Sequence, residues 1–353
     1  MANGSPRLCF IGPMVGINPG HVTTQGEIIS TLFTQLGYQV TRASFHPNRY
    51  ARLIDVVTTI IKKRREIDIL IVHTFGGPSF VIEDTASRLG RLFGHRVIMF
   101  LHGGAFPQFM ANFPRWTSRV LSRAHTIVAP SDYLARAIEL YGFQARIIPN
   151  IINISAYHYR SRSQLQPRLF WMRSFHDVWN PLMAVRVLVR IRQKYPEATL
   201  VMAGQDKGLQ AEARKLAYDM GVGEAVRFPG YLNLADKIEE FSGADIFINT
   251  NRIDNMPVAL IEACATGLPV VTTNVGGIPY LFADGETALF VRDGDDQQMA
   301  EAIHTLLENP ALAAKLSAEG RLLAERSSWH QVRPKWEEMF QEVLRGRQPA
   351  EFE

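Results

Sequence analysis

Cysteine is scarce in this sequence: only Cys9 and Cys264 occur among 353 residues, in segments that read as a buried strand and a helix. Neither a disulfide framework nor a zinc site is therefore expected. No stretch reaches the roughly 20 uninterrupted apolar residues of a membrane-spanning helix. The first 15 residues hold one short apolar run, 8–11, whereas a signal peptide needs a core of roughly 7–15 residues. We expect a cytoplasmic protein, with membrane contact limited to a peripheral one at the inner face.

A nucleic-acid-binding pattern is also missing, because the basic residues are not interleaved with aromatic residues in a recognisable RNA or DNA module. No nucleic acid is therefore expected among the partners. The formal net charge of +4 is unevenly distributed. Residues 1–150 carry 16 Lys/Arg and 8 Asp/Glu, which leaves 22 basic and 26 acidic residues for 151–353. The first half thus predicts contact with an anionic phospholipid surface or a phosphate-bearing acceptor, with an ordinary soluble surface as the alternative.

What the sequence does contain is a regular alternation of short apolar runs and amphipathic stretches in both halves. That alternation is typical of parallel sheets with helices on both faces, and the length favours two such α/β domains. A pause at 148–153, followed by the polar stretch 157–167, predicts the linker. We predict an N-terminal domain over 1–150, a C-terminal domain over 151–328, a helix over 329–345 and a tail over 346–353. The predicted strands are 8–11, 40–43, 67–72, 97–101, 126–129, 146–148, 169–172, 199–202, 226–228, 246–249, 270–272 and 288–291.

The segment 244–277 carries the clearest chemistry. A buried strand ends near Asn249, and Pro257 falls where the first helical residue is expected, since its missing N–H costs nothing there. The helix would begin at the carboxyl edge of the sheet, where its free N–H groups attract anions such as a diphosphate. Asp254 and Glu262 flank this helix start, with a helix cap and a solvated carboxylate as their alternative roles. The predicted donors of backbone hydrogen bonds are Asn255, Met256 and Val258.

Four connected motifs in this region resemble those of the retaining GT-B-fold glycosyltransferases called glycosyltransferase family 4. Asp254 and Glu262 stand at the two acidic positions of the family, with seven residues between them. A Gly-Leu-Pro-Val-Val strand follows at 267–271, a Gly-Gly-Ile-Pro turn at 276–279, and Asp-Gly-Glu-Thr at 284–287. Ala-Pro-Ser at 129–131 and Ile-Pro-Asn at 148–150 extend the resemblance into the first half. It covers nearly the whole chain and implies two Rossmann-like doubly wound domains facing across a cleft, with the final helix returning to the first domain.

The resemblance also implies roles for individual residues. Glu262 would hold the ribose of a nucleotide diphosphate sugar, and Asp254, usually Glu in relatives, would contact the donated sugar. Arg173 matches the arginine that clamps the diphosphate, although a surface cation is the alternative. The lysine of that clamp has no counterpart, because the corresponding stretch 176–181 reads His-Asp-Val-Trp-Asn-Pro. His102, at the end of a buried strand, resembles the family histidine near the transferred sugar, with a structural histidine as the alternative.

Two further features belong to the first half. The loop 12–20 resembles the glycine-containing loop of the family, with Gly16 as its candidate donor-binding residue and a plain flexible loop as the alternative. Residues 62–65, Lys-Lys-Arg-Arg, close an amphipathic helix. The favourable interaction of cations with the helix end is a sufficient explanation for this cluster. Together with exposed aromatics predicted near Phe109, Phe113 and Trp116, however, it also predicts contact with anionic lipid.

The sequence thus predicts a retaining glycosyltransferase that needs no metal and no cofactor beyond its nucleotide-sugar substrate. Its acceptor would be a polysaccharide or a lipid-linked glycan precursor. Two alternatives stay open. A nucleotide-sugar epimerase would place acid and base groups around the sugar. A non-catalytic nucleotide-sugar-binding partner of a glycan assembly complex would explain the missing lysine. We expect Asp254, Glu262, Arg173 and His102 to line one crevice.

Overall fold

The structure is a computed structural model that describes residues 5–16 and 23–346. The chain divides into two compact units, one of Met1–Ile151 with His330–Glu353 and one of Ile152–Trp329. The residues beyond 346, which include most of the predicted tail, lie outside the described part, as does 17–22. No helix among the described residues is both long and apolar enough to cross a bilayer.

The first unit contains a six-stranded parallel sheet in the order β2-β1-β3-β4-β5-β6. Every residue of β1 and β3 is buried, as expected for central strands that are covered on both faces. The strands are β1 Leu8–Ile11, β2 Val40–Ala43, β3 Ile69–Thr74, β4 Arg96–Leu101, β5 Thr126–Ala129 and β6 Arg146–Ile147. The helices are α1 Gln25–Gln35, α2 Arg49–Lys63, α3 Phe80–Leu92, α4 Phe106–Asn112, α5 Pro114–Leu121 and α6 Asp132–Glu139.

The second unit repeats this plan with the order β12-β11-β10-β7-β8-β9, again parallel throughout. Its strands are β7 Arg168–Met172, β8 Thr199–Ala203, β9 Val226–Gly230, β10 Ile246–Asn249, β11 Val270–Thr273 and β12 Leu289–Val291. Its helices are α7 Pro181–Arg192, α8 Gln210–Asp219, α9 Leu234–Gly243, α10 Val258–Thr266, α11 Ile278–Leu281, α12 Asp296–Glu308 and α13 Pro310–Glu325. Each of the twelve predicted strands has a counterpart within two residues of its predicted bounds.

The last described helix, α14 Trp329–Arg345, belongs almost entirely to the first unit. Trp336 is fully buried there and meets Phe100 edge-on at 5.3 Å between ring centroids. The Phe340 and Phe33 rings also have centroids 5.3 Å apart and are tilted by 50° to each other. Glu337 accepts a hydrogen bond of 3.1 Å from the Tyr38 hydroxyl. Side chains on one face of α14 therefore complete the core of the unit that contains the beginning of the chain.

The polar stretch 157–167 is not the linker that the sequence predicted. Arg162 is 2% exposed, and its guanidinium donates to the carbonyl oxygens of Phe241 and Ala244 at 3.3 and 3.1 Å. Its backbone N–H donates to the Ser317 hydroxyl. Asp245, itself 2% exposed, faces Arg162 and also accepts from Arg168. Buried counter-charges thus fix this stretch within the second unit, and polarity alone gave the wrong prediction.

The order of the strands decides where chemistry can occur. In the second unit, chain connections run in opposite directions from β7, so the crevice between the ends of β7 and β10 is the topological switch point. In the first unit the corresponding place is the end of β1 and β3. Ligands of open α/β sheets bind at these carboxyl edges. The candidate site residues described next follow β7, β10, β3 and β4.

Candidate active site

Asp254 lies in the loop that joins β10 to α10, and its carboxylate accepts three hydrogen bonds. Oδ2 accepts from the Arg173 guanidinium and from the Asn251 amide, both at 2.7 Å. Oδ1 accepts from the backbone N–H of Asn255 at 2.8 Å. No side-chain bond caps α10, so the alternative of Asp254 as a helix cap is wrong. The carboxylate is instead held in one orientation, facing Arg173.

Arg173 directly follows β7, on the other side of the switch point from Asp254. Its side chain is 16% exposed and that of Asp254 is 12% exposed. The guanidinium carbon also lies 5.0 Å from the centre of the Trp179 ring, within the range of a cation–π contact. The alternative of a surface cation is therefore wrong. Two residues separated by 81 positions form a confined ion pair at the carboxyl edge of the sheet.

The start of α10 differs from the prediction by one residue. Pro257 occupies the N-cap position and Val258 is the first helical residue. The backbone N–H of Asn255 is already bonded to Asp254, so it is not the available donor that the sequence predicted. Met256 is 5% exposed. The Leu260 N–H already donates to the Pro257 carbonyl oxygen, so the N–H groups of Val258 and Ala259 are those that the helix start leaves to face an anion.

The turn formed by Gly276 and Gly277 packs directly on the backbone of this loop. The Gly277 N–H donates to the Asp254 carbonyl oxygen at 2.8 Å. A Cβ atom on Gly277 would lie 1.9 Å from the Asn255 carbonyl oxygen, and one on Gly276 would lie 2.2 Å from the Asp254 carbonyl oxygen. Both positions therefore need glycine so that the backbone of the turn can approach the backbone of the Asp254 loop. Through this contact the turn supports the loop.

Glu262 lies on the second turn of α10 and is 7% exposed, so the alternative of a solvated carboxylate is wrong. Its Oε1 accepts from the Tyr157 hydroxyl at 2.7 Å and from the Lys237 ammonium at 2.6 Å. Burial, followed by the adjacent Glu262 charge, raises the pKa of Tyr157, so its hydroxyl keeps the proton it donates. Both hydrogen bonds are accepted by Oε1, so neither of them involves Oε2.

His102 directly follows β4 in the first unit and is 6% exposed. Its Nε2 lies 2.8 Å from Nδ1 of His73, near the end of β3. Burial, and secondarily the neighbouring His73, lowers the pKa of His102, and burial lowers that of His73 to about 3. Since the unfolded chain binds the His73 proton below about pH 6.5 and the folded one does not, the free energy of unfolding falls as the pH drops from 6.5 towards 3.

Gly16 lies at the end of the described part of its loop, and the rest of the loop, 17–22, is outside the described residues. Its N–H donates to Oε1 of Glu27 at 2.8 Å, while Oε2 accepts from the Thr24 N–H at 2.7 Å. A Cβ on Gly16 would lie 2.7 Å from Cα of Thr23. Glu27, through the capping box of α1, therefore fixes the position of Gly16, while the alternative of a plain flexible loop is not tested by the described residues.

The predicted aromatic surface is only partly exposed. Phe113 is 49% exposed, but Phe109 and Trp116 each pack edge-on against the buried Phe80 at about 5 Å. The Trp116 indole N–H also donates to Asp84. The prediction of exposure is thus wrong for two of the three, because the short helices α4 and α5 turn these side chains inward. The basic residues 62–65 are exposed, and so are Tyr50, Ile54 and Ile61 on α2.

Three functional candidates were missed by the sequence analysis: Lys237, Tyr157 and His73 as a partner of His102. Lys237 lies on α9, far from the stretch where the family places its lysine, and Tyr157 lies in the segment mistaken for a linker. Nothing in their local sequence marks them. His73 had a signal, since it stands at the end of a strand adjacent to the one that precedes His102. Among the described residues, no group of three or more His, Cys, Asp or Glu is placed to hold a metal.

Two family models match the chain. Residues 22–156 match Glycosyltransferase Family 4, and residues 165–323 match Glycosyl transferases group 1. The two together span most of the sequence. The chain belongs to the group 1 glycosyltransferases. The resemblance stated for the motifs around Asp254 and Glu262 is thereby confirmed.

Individual relatives of this group 1 glycosyltransferase are distant. EpsD of Bacillus subtilis, named as a glycosyltransferase, is 24% identical over 87% of this chain and 85% of that protein. A phosphatidyl-myo-inositol mannosyltransferase of Mycobacterium leprae is 27% identical, covering 62% of this chain and 58% of that protein. Glycogen synthase of Mycobacterium tuberculosis is 29% identical over 52% of this chain. The match spans less than half of that glycogen synthase, 43% of its length.

Solved structures show the same fold. The sucrose-phosphate synthase of Thermosynechococcus elongatus superimposes with a TM-score of 0.81 at 16% identity, covering 97% of this chain and 100% of that one. Anabaena Alr3699/HepE, solved with UDP and glucose, gives a TM-score of 0.75 at 17% identity, covering 96% and 100%. The predicted α/β fold of two Rossmann-like, doubly wound units is confirmed. The placement of His102 in one crevice with Arg173, Asp254 and Glu262 stays a prediction.

Proposed function

We propose that this glycosyltransferase moves a glycosyl group from a nucleotide diphosphate sugar to an acceptor hydroxyl, with retention of configuration and without a metal or cofactor. The observation that carries the proposal is the confined Arg173–Asp254 ion pair at the switch point of the second unit, beside the start of α10. A mostly buried arginine and a helix N-terminus next to it are two sources of positive potential for one diphosphate. Glu262 also lies on α10, where the ribose next to that diphosphate would lie.

The nucleoside half of the donor would be held by Glu262. Its Oε1 is fixed by Tyr157 and Lys237, so Oε2 is presented for ribose hydroxyls, which are good donors to a carboxylate. Lys237 lies 2.6 Å from this carboxylate. Its charge therefore balances Glu262 and does not replace the missing lysine of the diphosphate clamp. The diphosphate charge would fall on Arg173 and on the first turn of α10.

In the transfer step the bond between the anomeric carbon and the phosphate oxygen breaks, and its electron pair leaves with the nucleoside diphosphate. The acceptor oxygen forms the new bond from the same face, and its proton passes to the departing phosphate. Arg173 and the helix start would stabilise the developing negative charge. Asp254 would orient Arg173 and contact the sugar, and neither it nor Glu262 need act as a nucleophile. His102 and Gly16, in the first unit, would approach the sugar and the donor phosphate.

Donor binding is tested by thermal denaturation with UDP-, GDP- and ADP-sugars. HepE was solved with UDP-glucose, and a Mycolicibacterium smegmatis relative is named as GDP-mannose-dependent. UDP-glucose and GDP-mannose are therefore tested first. A donor at 100 times its Kd should stabilise the folded protein by about 2.7 kcal/mol. Glu262→Gln keeps the shape of the side chain but weakens the ribose contact, so we expect a clearly smaller shift. If no nucleotide sugar raises the melting temperature of the unchanged protein, the proposal fails.

The two alternatives make different products. An epimerase would alter the sugar when donor alone is present, which NMR of the donor detects. A non-catalytic partner would bind donor tightly and release no nucleoside diphosphate with any glycan or lipid-linked acceptor. The second alternative keeps support from the structure, because Arg173 has no neighbouring lysine in the sequence stretch 176–181 and is already paired with Asp254. Transfer to any acceptor removes both alternatives.

We also propose that the acceptor is presented at an anionic lipid surface contacted by α2. Lys62 and Lys63 share this helix with the exposed Tyr50, Ile54 and Ile61, and Arg64 and Arg65 directly follow it; Tyr50 and Ile54 are each 65% exposed. Each cation near such a surface contributes about 1 kcal/mol. Replacing all four with glutamine should therefore reduce binding to phosphatidylserine vesicles by at least about 100-fold. Unchanged vesicle binding would reject the proposal. The surface contacts that are lost are the Lys63–Glu66 pair and the exposed hydrogen bond from Arg64 to the Ile61 carbonyl oxygen, so the melting temperature should hardly change.

A further inference from the structure

His73 and His102 form a buried imidazole pair at the ends of two neighbouring strands. The 2.8 Å separation of His73 Nδ1 and His102 Nε2 is that of a hydrogen bond, which holds one proton between the two nitrogens. The pKa values of both rings are lowered by burial, so both are neutral at ordinary pH. Each neutral ring carries one proton, and the bond therefore links the tautomer of one ring to that of the other.

The surroundings of the second His73 nitrogen distinguish the two possible arrangements. His73 Nε2 is buried and has no hydrogen-bond partner within the described ranges 5–16 and 23–346. Gly26 and the Met14 methyl group lie beside it, since a Cβ added to Gly26 would lie 3.0 Å from Nε2 and 3.0 Å from that methyl group. If His102 donated, His73 would bury an N–H beside these groups. If His73 donates, its Nε2 is instead a buried acceptor without a donor. A buried N–H without an acceptor is rarer in proteins than a buried acceptor without a donor, so the arrangement in which His73 donates is favoured.

We propose that His73 is a positioning residue that donates its Nδ1–H to His102 Nε2 and thereby keeps the proton of His102 on Nδ1. His102 is then presented as a neutral hydrogen-bond donor with a single orientation. Its Nδ1–H suits an oxygen acceptor, such as a sugar hydroxyl or a phosphate oxygen. This use of the Nδ1–H rests on the proposed transferase function, whereas the tautomer itself does not.

Packing prevents either ring from leaving this arrangement. A Cβ on Gly12 would lie 2.7 Å from Cβ of His73, so the loop after β1 closes directly on that side chain. On the far side of His102, the Phe75 ring stacks on it at 4.7 Å with an interplanar angle of 18°. Phe75 is itself anchored, because its backbone N–H donates to the buried Glu83 carboxyl at 3.0 Å. Rotation of His102 would require moving these elements.

The tautomer is measured directly by long-range ¹H–¹⁵N correlation spectra of protein labelled at histidine, without donor or acceptor. We expect His102 to carry its proton on Nδ1 and to have an unprotonated, hydrogen-bonded Nε2. The His102 signals are assigned by their loss in His102→Gln. A His102 protonated on Nε2 in the unchanged protein would overturn the proposal, whether or not the chain transfers sugar.

Two substitutions of His73 separate positioning from simple packing. His73→Asn retains an N–H donor near the Nδ1 position, and His73→Leu removes the donor but keeps an apolar filling. We expect the Asn variant to keep the His102 tautomer and the Leu variant to mix both tautomers. His95→Leu is the matched control, because His95 is 3% exposed in the same unit and also has a buried Nε2 that bonds to none of the described residues. It should leave the His102 signals unchanged.

The kinetic consequence is a second, independent readout. In a transfer assay, His73→Leu should lower kcat about tenfold or more with little change in the KM for donor, and His73→Asn should recover most of that loss. An equal fall in both variants, or a His102 spectrum unaffected by leucine, would contradict the positioning role. If the unchanged protein transfers nothing, the proposed function fails while the spectra still decide the tautomer.

Discussion

Arg173→Met is expected to reduce turnover by about 10²–10³-fold while leaving the KM for acceptor nearly unchanged. The reason is that the leaving nucleoside diphosphate gains negative charge in the transition state, and removing one preorganised donor to such charge costs about that factor. The stretch 176–181 contains no lysine, so it supplies no second cation that could compensate. The measurement is the release of nucleoside diphosphate in the presence of the donor that stabilises the protein.

The substitution also leaves a mostly buried carboxylate without its cation, which destabilises the fold. The double variant Arg173→Met, Asp254→Asn separates the two effects, because it should recover stability but not turnover. Arg292→Met serves as the matched control, since Arg292 lies in the same unit, its side chain is 81% exposed, and among the described residues that side chain pairs only with Asp295. Near-normal turnover in a folded Arg173→Met protein would contradict the assignment of Arg173 to the diphosphate.

Gly277→Ala is expected to lower the free energy of unfolding by about 1–3 kcal/mol or more and to reduce turnover about 100-fold in the protein that still folds. The added Cβ would lie 1.9 Å from the Asn255 carbonyl oxygen, which is backbone and cannot rotate away. Either the turn or the loop of Asp254 must therefore shift. A displacement of the Arg173–Asp254 pair by about 1 Å is enough to misplace the donor.

Gly243→Ala is the control for this change. Gly243 ends α9 of the same unit, and a Cβ there would meet nothing within 4 Å. Alanine at that position should leave melting temperature and turnover nearly unchanged or raise the stability slightly. Thermal unfolding of both variants, followed by transfer assays at a temperature where each is folded, provides the comparison. Wild-type stability in Gly277→Ala would show that the turn does not support the Asp254 loop as described.

The strands were predictable because buried parallel strands read as short apolar runs, and the segment after β10 was predictable because its motif is contiguous. Contacts between residues that are far apart in the sequence could not be predicted. Lys237 reaches Glu262 from another helix, and Tyr157 reaches it across 105 positions, so neither spacing nor periodicity connects them. The stretch 157–167 was misjudged for a related reason: its polar residues are paired inside the unit, and a sequence shows the polarity but not the partner.

Exposure of side chains was the other source of error. Phe109 and Trp116 lie on helices of seven and eight residues, too short for a hydrophobic period to show which face is buried. The one-residue shift at Pro257 has a similar cause, because proline suits both the position before a helix and its first residue, and the local sequence does not separate them. The first error concerns which helix face is buried and the second a helix start, whereas the strand ends that position Arg173 and His102 were predicted correctly.

The division of the chain has a consequence for its biosynthesis. The second unit is continuous from Ile152 to Trp329, whereas the first requires α14, whose Trp336 is fully buried against Phe100. On the ribosome, residues 5–151 emerge first but cannot bury Phe100 beneath Trp336 until some 180 further residues have been added, about 10–40 s at the usual elongation rate. The part translated first is therefore the part completed last. Until then, the apolar surface on which α14 packs stays uncovered and is available for chaperone binding.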